Sequence, residues 1–173
     1  MTQSRVREAS ARDDDVVLEL MTEYMTWALA TFEQTYGFAM AGDAHHTADA
    51  LDRFRRPSGV IALAEDGGSE ASGSPVGVAA LRVQDDGAVE IKRMFVRPEH
   101  RGAHLGSEML DWLLDLSRDE LQAPTVRLDS NRYMHGAHRL YESRGFVERP
   151  PYDGSEIPAD LRHLWRFYEL RPV

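Results

Sequence analysis

The residues with the clearest chemical potential lie in one stretch, residues 93–110, which reads RMFVRPEHRGAHLGSEML. An apolar, strand-like run stops at Pro98, and a basic loop with two glycines then leads directly into an amphipathic helix. The first amides of a helix point outward without partners and carry positive potential, and Arg101 adds a full charge beside them. This succession of strand, loop and helix predicts a site for a phosphate group.

The spacing of the loop excludes the two commonest nucleotide-binding signatures. A Walker loop requires a lysine and then serine or threonine after its second glycine, whereas Gly106 is followed by Ser107 and Glu108. A dinucleotide-binding fingerprint requires three glycines near the start of a βαβ unit, whereas this loop follows a run of antiparallel-looking strands. The sequence therefore predicts a phosphate ligand of another kind.

A second motif, AHRLYESRGFVE at residues 137–148, predicts a helix that ends on a glycine and continues into a strand. Together with VEIKRMFVRPEHRGAHLGSEMLDWLL, residues 89–114, it resembles the GNAT superfamily of acetyl-CoA-dependent N-acetyltransferases. The loop motif of that family is Gln or Arg, two residues, Gly, one residue, and then Gly or Ala. The predicted order of elements extends the resemblance to most of the chain.

The resemblance implies that the loop holds the pyrophosphate of acetyl-CoA, the cosubstrate. Arg101 stands at the first position of the motif and Gly106 at the last, while His104 replaces the usual glycine. Histidine can supply its amide as well as glycine does if its φ is negative. The residues expected to bind the cofactor here are Arg101, Gly102, Ala103, His104, Leu105, Gly106 and Ser107.

The resemblance also implies that the pantetheine arm lies along strand 88–96 and hydrogen-bonds its backbone like an added strand. The expected partners are the amides and carbonyls near Met94, Phe95 and Val96. Many relatives carry a cofactor-binding asparagine seven residues before the motif tyrosine, where this chain has Met134. Asn131 is the candidate to hold the cofactor in its place.

Transfer to an amine requires a group that accepts a proton, because a lysine-like amine with a pKa of about 10.4 is nucleophilic in only about one molecule in a thousand at neutral pH. Glu90 lies eleven residues before Arg101, which matches the glutamate base in the histone-acetylating branch of the family. It would act directly or through a water. The alternative is an ion pair, since Glu90 and Lys92 share one strand face.

The departing coenzyme A thiolate benefits from a proton donor near the sulfur. Tyr141 matches the family's tyrosine for that role, and a phenol with a pKa of about 10 is protonated at neutral pH. The alternative for Tyr141 is an amphipathic side chain packed on the core with its hydroxyl hydrogen-bonded.

A metal site is not expected. The chain has no cysteine, and no carboxylate accompanies the histidines in a known metal-binding pattern. We interpret the histidines as solvated surface residues: His45, His46, His100, His104, His135 and His138.

Composition narrows the class of protein further. The net charge of −9 disfavours a general nucleic-acid binder and mildly favours a cationic acceptor. The chain has no apolar run near the roughly 20 residues that span a bilayer, and its N-terminus lacks the apolar segment of a secretory signal. We expect a cytoplasmic protein that binds neither membrane nor nucleic acid, with residues 1–173 forming a single domain, as a monomer or homodimer.

Hydrophobic periodicity predicts four helices. The first carries an aromatic stripe of Tyr24, Trp27, Phe32 and Tyr36, interpreted as core or, alternatively, as the lining of the acceptor pocket. Seven strands are predicted between and beyond them, with a glycine and serine hairpin loop at 66–74 and a tight turn at 84–87. The helices are expected at 13–36, 44–56, 105–116 and 134–145, and the strands at 4–9, 59–65, 75–83, 88–96, 124–130, 146–149 and 163–170.

The fold class implied is α/β (α+β) of the GNAT type: a mixed, mostly antiparallel central sheet, flanked by helices, that splays between strands 88–96 and 124–130 to admit acetyl-CoA. The function implied is direct transfer of the acetyl group to a primary amine of a small molecule or peptide in a ternary complex. Two alternatives stay open. One is a non-catalytic acetyl-CoA-binding sensor or scaffold, and the other is an enzyme that transfers another acyl group or acetylates an alcohol.

Overall fold

The structure, a computed structural model, describes residues 5–42, 48–67 and 73–171. Part of the helix predicted over 44–56 and most of the predicted loop at 66–74 lie outside the described residues. The other predicted elements are present in the predicted order: one strand, two helices, three strands, a helix, a strand, a helix and two strands.

The first helix, α1 (Asp14–Tyr36), follows a capped 3-10 turn and ends at a glycine. A short 3-10 turn leads into it, where the Asp13 carboxylate accepts from the backbone N–H of Ser10 at 2.7 Å. The helix ends at Gly37, whose φ of +79° suits glycine and whose N–H donates to the Glu33 carbonyl at 2.9 Å.

The remaining helices are shorter. The described part of the second predicted helix is one α-helical turn followed by a 3-10 helix. No helix among the described residues combines the length and apolar character that a membrane crossing requires. The helices are α2 (Ala48–Leu51), α3 (Leu105–Asp119) and α4 (His135–Ser143).

Seven strands form one mixed sheet, hydrogen-bonded in the order β1-β2-β3-β4-β5-β7-β6. The pairs β1–β2, β2–β3, β5–β7 and β6–β7 are antiparallel, and β4–β5 is parallel. This agrees with the mostly antiparallel sheet that the sequence predicts. The strands are β1 (Val6–Glu8), β2 (Gly59–Glu65), β3 (Pro75–Val83), β4 (Val89–Val96), β5 (Val126–Asn131), β6 (Val147–Arg149) and β7 (Trp165–Leu170).

The chain divides into two compact units. The first unit comprises Met1–Arg82 and Arg93–Leu113, and the second comprises Val83–Lys92 and Leu114–Val173. The first unit has a buried apolar core in which α1 and β2 meet Phe95 of β4. The second unit buries the inward face of β5 and of β7, with Tyr168 fully inaccessible. That the whole chain is a single domain stays a prediction.

The parallel pair β4–β5 has a short register. Within the described residues, β4 and β5 pair only from Val89 with Val126 to Ile91 with Leu128. Arg93 then takes a φ of +56°, a conformation typical of a bulge rather than of a regular strand. The second half of β4 thus runs on to Val96 beyond its register with β5.

Candidate active site

The loop between β4 and α3 begins with a 3-10 turn, Pro98–His100, and makes two left-handed steps. Gly102 has a φ of +86° and His104 a φ of +64°. The condition considered for His104, a negative φ, is therefore not met, because the histidine lies in the left-handed region. Histidine is among the residues that enter this region most readily. Its carbonyl accepts the N–H of Glu108 at 3.0 Å, which starts α3.

The first turn of α3 supplies the outward amides that the sequence predicts. An α-helix leaves its first four N–H groups without intrahelical partners. Leu105 is buried in the core, so only its backbone can face a ligand, whereas Gly106 and Ser107 are half-buried. A Cβ built on Gly102 would meet nothing within 4 Å, so the space beside Gly102 is open. The turn can therefore admit an anion.

Arg5, the residue before the first strand, holds this loop in place. Its Nη2 donates to the Ala103 carbonyl at 2.7 Å, and its Nε donates to Oε2 of Glu108 at 3.1 Å. One guanidinium thus ties the end of the loop to the first turn of α3. Sequence reasoning missed Arg5, which lies about a hundred positions away and belongs to no motif.

Arg101 occupies the mouth of the loop. Its Nε donates to the Val96 carbonyl at 3.0 Å, and its guanidinium lies 5.6 Å from the ring centre of Trp27 and 5.8 Å from that of Phe95. Its neighbour Arg97 is neutralised by Glu23, with an N–O distance of 2.7 Å. No ion pair of Arg101 is recorded within the described ranges 5–42, 48–67 and 73–171. Its charge is therefore available to an anionic ligand.

The end of β4 is bounded on one side by β3. The Arg97 N–H donates to the Val76 carbonyl at 2.9 Å, and a Cβ on Gly77 would come within 3.1 Å of the Phe95 carbonyl. Phe95 is buried, while Met94 and Val96 are half-buried. The three residues predicted to grip the cofactor arm therefore form a firmly supported strand end.

Glu90 lies in a buried polar network of the second unit. Its side chain is completely buried, and Oε1 accepts the hydroxyl of Tyr152 at 2.7 Å and lies 3.3 Å from Nζ of Lys92. Lys92 also contacts Oδ2 of Asp129 at 3.1 Å and Oε2 of Glu156 at 3.5 Å. The ion pair that the sequence offered as an alternative to the base role is thus present, inside a larger network.

In this network the Lys92 ammonium lies close to three carboxylates. Burial lowers the pKa of Lys92, but Asp129, Glu90 and Glu156 together raise it by more, so the side chain stays charged. Burial raises the pKa of Asp129, against the opposing effect of the Lys92 ammonium. The network therefore keeps the charged Lys92 ammonium within 3.5 Å of three carboxylates at a buried position.

Tyr141 lies in α4 and is 7% exposed. Its ring centre is 6.0 Å from that of Phe146 and 6.0 Å from that of Tyr168. These contacts fit the packed tyrosine offered as the alternative interpretation, and such packing also fixes the ring for an acid role. The proton-donor role stays a prediction.

Asn131 is the last residue of β5 and is buried. Its side-chain oxygen accepts the backbone N–H of Tyr133 at 3.3 Å, which shapes the turn before α4. Met134, at the place of the usual asparagine, receives a hydrogen bond from the Ser130 hydroxyl to its sulfur at 3.5 Å. Asn131 has a local structural role, and its cofactor role stays a prediction.

His138 is a correction to the interpretation of the histidines as solvated. It is 3% exposed, packs against Tyr168 with 5.8 Å between ring centres, and has Nδ1 3.4 Å from Nη1 of Arg166. Burial and Arg166 lower its pKa.

The other histidines differ in exposure. His104 and His135 are exposed and His100 is half-buried, while His45 and His46 lie outside the described residues. Across the described parts of the chain, no metal-binding cluster of three or more candidate ligands is present.

Sequence reasoning also missed Tyr152 as a partner of Glu90, Asp129 as a partner of Lys92 and Trp27 as a partner of Arg101. Tyr152 lies in an irregular segment 62 residues from Glu90. Asp129 lies in the strand β5 between the buried Leu128 and Ser130, and no role was predicted for it from the sequence. The guanidinium of Arg101 lies over the ring of Trp27, which is 37% exposed and so is not a core residue; the lining of the acceptor pocket stays a prediction. No local pattern marks these pairs, because they form only when distant segments meet.

The chain is similar in sequence to known N-acetyltransferases. An uncharacterized N-acetyltransferase of Schizosaccharomyces pombe is 32% identical over 111 residues, which cover 64% of this chain and 66% of that protein. The chain thus spans just under two thirds of the length of that curated relative.

Two solved structures share the fold. Spermidine N-acetyltransferase of Vibrio cholerae, in complex with CoA and spermine, superposes with a TM-score of 0.69 at 16% identity and covers 98% of this chain and 97% of that one. A Salmonella typhimurium protein solved with its cofactor acetyl-CoA has a TM-score of 0.68 at 19% identity and covers 99% and 95%. The Acetyltransferase (GNAT) family matches residues 18–146, three quarters of the sequence. The chain belongs to the GNAT acetyltransferase family.

Proposed function

We propose that this protein transfers the acetyl group of acetyl-CoA to a primary amine of a small molecule or peptide. The observation that carries the proposal is the loop of the first unit. There the exposed Arg101 precedes the first turn of α3, and Gly102 and His104 adopt left-handed conformations that lead into that turn. A guanidinium and helix amides are the groups that proteins use to bind phosphates.

Arg101 and the amides of residues 102–107 would hold the pyrophosphate. The backbone of Met94, Phe95 and Val96 would hold the pantetheine arm as an added strand, since β4 runs past its register with β5. Support comes from family membership and from the two structures solved with CoA or acetyl-CoA.

In the proposed reaction the amine nitrogen attacks the acetyl carbonyl carbon and the carbon–sulfur bond breaks. The proton lost by the amine passes to Glu90, the Tyr141 hydroxyl gives a proton to the coenzyme A thiolate, and proton exchange with water then restores the Glu90 carboxylate and the Tyr141 phenol. Complete burial of Glu90 favours transfer through a water rather than direct contact. Positioning of the two substrates in one ternary complex supplies most of the rate.

A cationic small amine is the acceptor class that we favour. The chain carries a net charge of −9, which attracts cations. The Vibrio cholerae neighbour was solved with spermine, a polyamine. Neither observation selects one compound, because substrate choice resides in the site rather than in the fold.

The decisive experiment measures thiol release from acetyl-CoA across a panel of polyamines, aminoglycosides, basic peptides and neutral amines. Acetylated product with at least one amine, confirmed by mass spectrometry, supports the enzyme. Parallel reactions with longer acyl-CoA donors and with alcohols test the other acyltransferase activities. Tight coenzyme A binding without turnover on any amine would instead favour a sensor or scaffold.

A further inference from the structure

We infer that Trp27 is a positioning residue that fixes the guanidinium of Arg101 over the cofactor loop. The inference rests on the proposed binding of acetyl-CoA at that loop. It assigns to an aromatic side chain of α1 a part in phosphate recognition, exerted through Arg101 rather than by contact with phosphate.

Three contacts define where the Arg101 side chain lies. Its Nε donates to the Val96 carbonyl at 3.0 Å, so the stem is anchored at the end of β4. The guanidinium carbon lies 5.6 Å from the ring centre of Trp27 and 5.8 Å from that of Phe95. Both distances fall within the roughly 6 Å over which an aromatic face attracts a cation.

The position of Trp27 argues against a purely structural role. It is 37% exposed, while Phe95 is 6% exposed and belongs to the core. Tyr24 bridges the two rings, with centroid distances of 6.3 Å to Trp27 and 6.0 Å to Phe95. The exposed indole is therefore braced against the core through Tyr24, and it offers a supported surface to Arg101.

This surface has a physical use for binding. A free arginine side chain samples many rotamers and loses that freedom when it binds a phosphate. Trp27 and Phe95 limit the sampling beforehand, so less entropy is lost on binding. The ion-paired Arg97 is held by Glu23, whereas rings can hold Arg101 without cancelling its positive charge.

The test compares coenzyme A with pantetheine, which lacks the phosphates, by isothermal titration calorimetry. The variants are Trp27→Ala, Trp27→Phe, Arg101→Ala and the double variant Trp27→Ala with Arg101→Ala. Phe38→Ala is the matched control, because Phe38 is also an exposed aromatic of the first unit, and the structure pairs it with Phe32 rather than with an arginine. Circular dichroism confirms that each variant is folded.

We expect Trp27→Ala to bind coenzyme A about two- to fivefold more weakly, the range that one exposed cation–aromatic contact supplies. Trp27→Phe keeps a ring and should lose less. Affinity for pantetheine should not change, and the double variant should bind no more weakly than Arg101→Ala alone. Steady-state kinetics should show a raised KM for acetyl-CoA with kcat retained at saturation.

The inference is overturned if Trp27→Ala binds coenzyme A normally while Arg101→Ala does not. It is also overturned if Trp27→Ala weakens coenzyme A and pantetheine equally, or if the two substitutions are additive. Normal coenzyme A binding by Arg101→Ala has a different meaning: it removes the phosphate assignment of the loop itself, and the role of Trp27 with it.

Discussion

The β4–α3 loop of the first unit, proposed to bind the cofactor, and the carboxylate network of the second unit place charge in opposite ways. In the loop, Arg101 is exposed, rests on aromatic rings and has no ion pair recorded in the described residues. In the network, Lys92 is buried and contacts three carboxylates within 3.5 Å. The loop leaves a charge available for a ligand, whereas the network uses its charge to hold neighbouring groups in place.

This difference predicts that substitutions in the two regions affect different quantities. An exposed charge contributes little to folding, because water already solvates it. A buried ammonium cannot be removed without leaving its carboxylates unpaired. Changes in the loop should therefore appear in cofactor affinity, and changes in the network should appear first in the free energy of unfolding.

The largest loss of stability is expected for Lys92→Met. The substitution leaves the carboxylates of Glu90, Asp129 and Glu156 without their cation, and breaking a buried pair in this way costs about 3–5 kcal/mol. Urea denaturation measures it. Arg118→Ala is the control, because Arg118 pairs with Asp115 on the surface of α3, and its loss should not measurably change stability. Equal stability of Lys92→Met and Arg118→Ala would contradict the claim that the buried ammonium matters more for folding than a surface charge.

A smaller loss is expected for Tyr152→Phe. It removes the hydroxyl that Glu90 accepts at 2.7 Å in a fully buried place, which costs about 1–3 kcal/mol. Tyr168→Phe is the matched control, since its hydroxyl donates to Glu142, whose side chain is 47% exposed and can turn to water. If Tyr168→Phe loses as much stability as Tyr152→Phe, burial does not explain how much the Tyr152–Glu90 hydrogen bond contributes to the free energy of unfolding.

In the loop, His104→Gly should increase stability by about 0.5–1 kcal/mol. A left-handed backbone costs a non-glycine residue about 1–2 kcal/mol, partly offset by the greater freedom of glycine in the unfolded chain. Coenzyme A affinity should be unchanged, because the amide keeps its position. His100→Gly, outside the left-handed region, should not stabilise the protein. A loss of affinity in His104→Gly would show that the imidazole itself contacts the ligand.

The smallest effect concerns pH and His138. Burial and Arg166 lower its pKa, so the folded state favours the neutral ring. The corresponding stability is complete above the unfolded pKa of about 6.5 and is lost as pH falls below it toward the folded value. His138→Gln should therefore lose less stability than the wild type between pH 7.5 and 5.5 in urea titrations. If the wild type and His138→Gln lose the same stability between pH 7.5 and 5.5, His138 is not a source of this pH dependence.

Much of the fold could be predicted because it depends on local patterns. The strand Gly59–Glu65 and the strand Pro75–Val83 have the predicted bounds, since β-branched runs with turns at either end determine them. The strand predicted at 124–130 begins two residues late, at Val126, because Pro124 cannot donate to the sheet. Local rules suffice where the determining residues are neighbours.

The candidate site was only partly predictable. Arg101 and the loop carry a motif with fixed spacing, whereas the contacts of Tyr152 with Glu90 and of Trp27 with Arg101 join residues far apart in sequence. The left-handed conformation of His104 was also missed, because residue type alone favours a negative φ there. Such features arise from tertiary packing, which a single sequence does not display.

The central claim is that different residues carry cofactor binding and proton transfer. It is tested most directly by measuring two quantities, the Kd for coenzyme A and kcat at saturating acetyl-CoA. Both are measured in Arg101→Ala and in Tyr141→Phe. Arg101→Ala should weaken coenzyme A binding at least about tenfold, as loss of a charge-assisted hydrogen bond implies, with kcat retained. Tyr141→Phe should lower kcat by about 10²–10⁴-fold with affinity nearly intact. Unchanged affinity in the first variant, or an unchanged kcat in the second, would contradict the account.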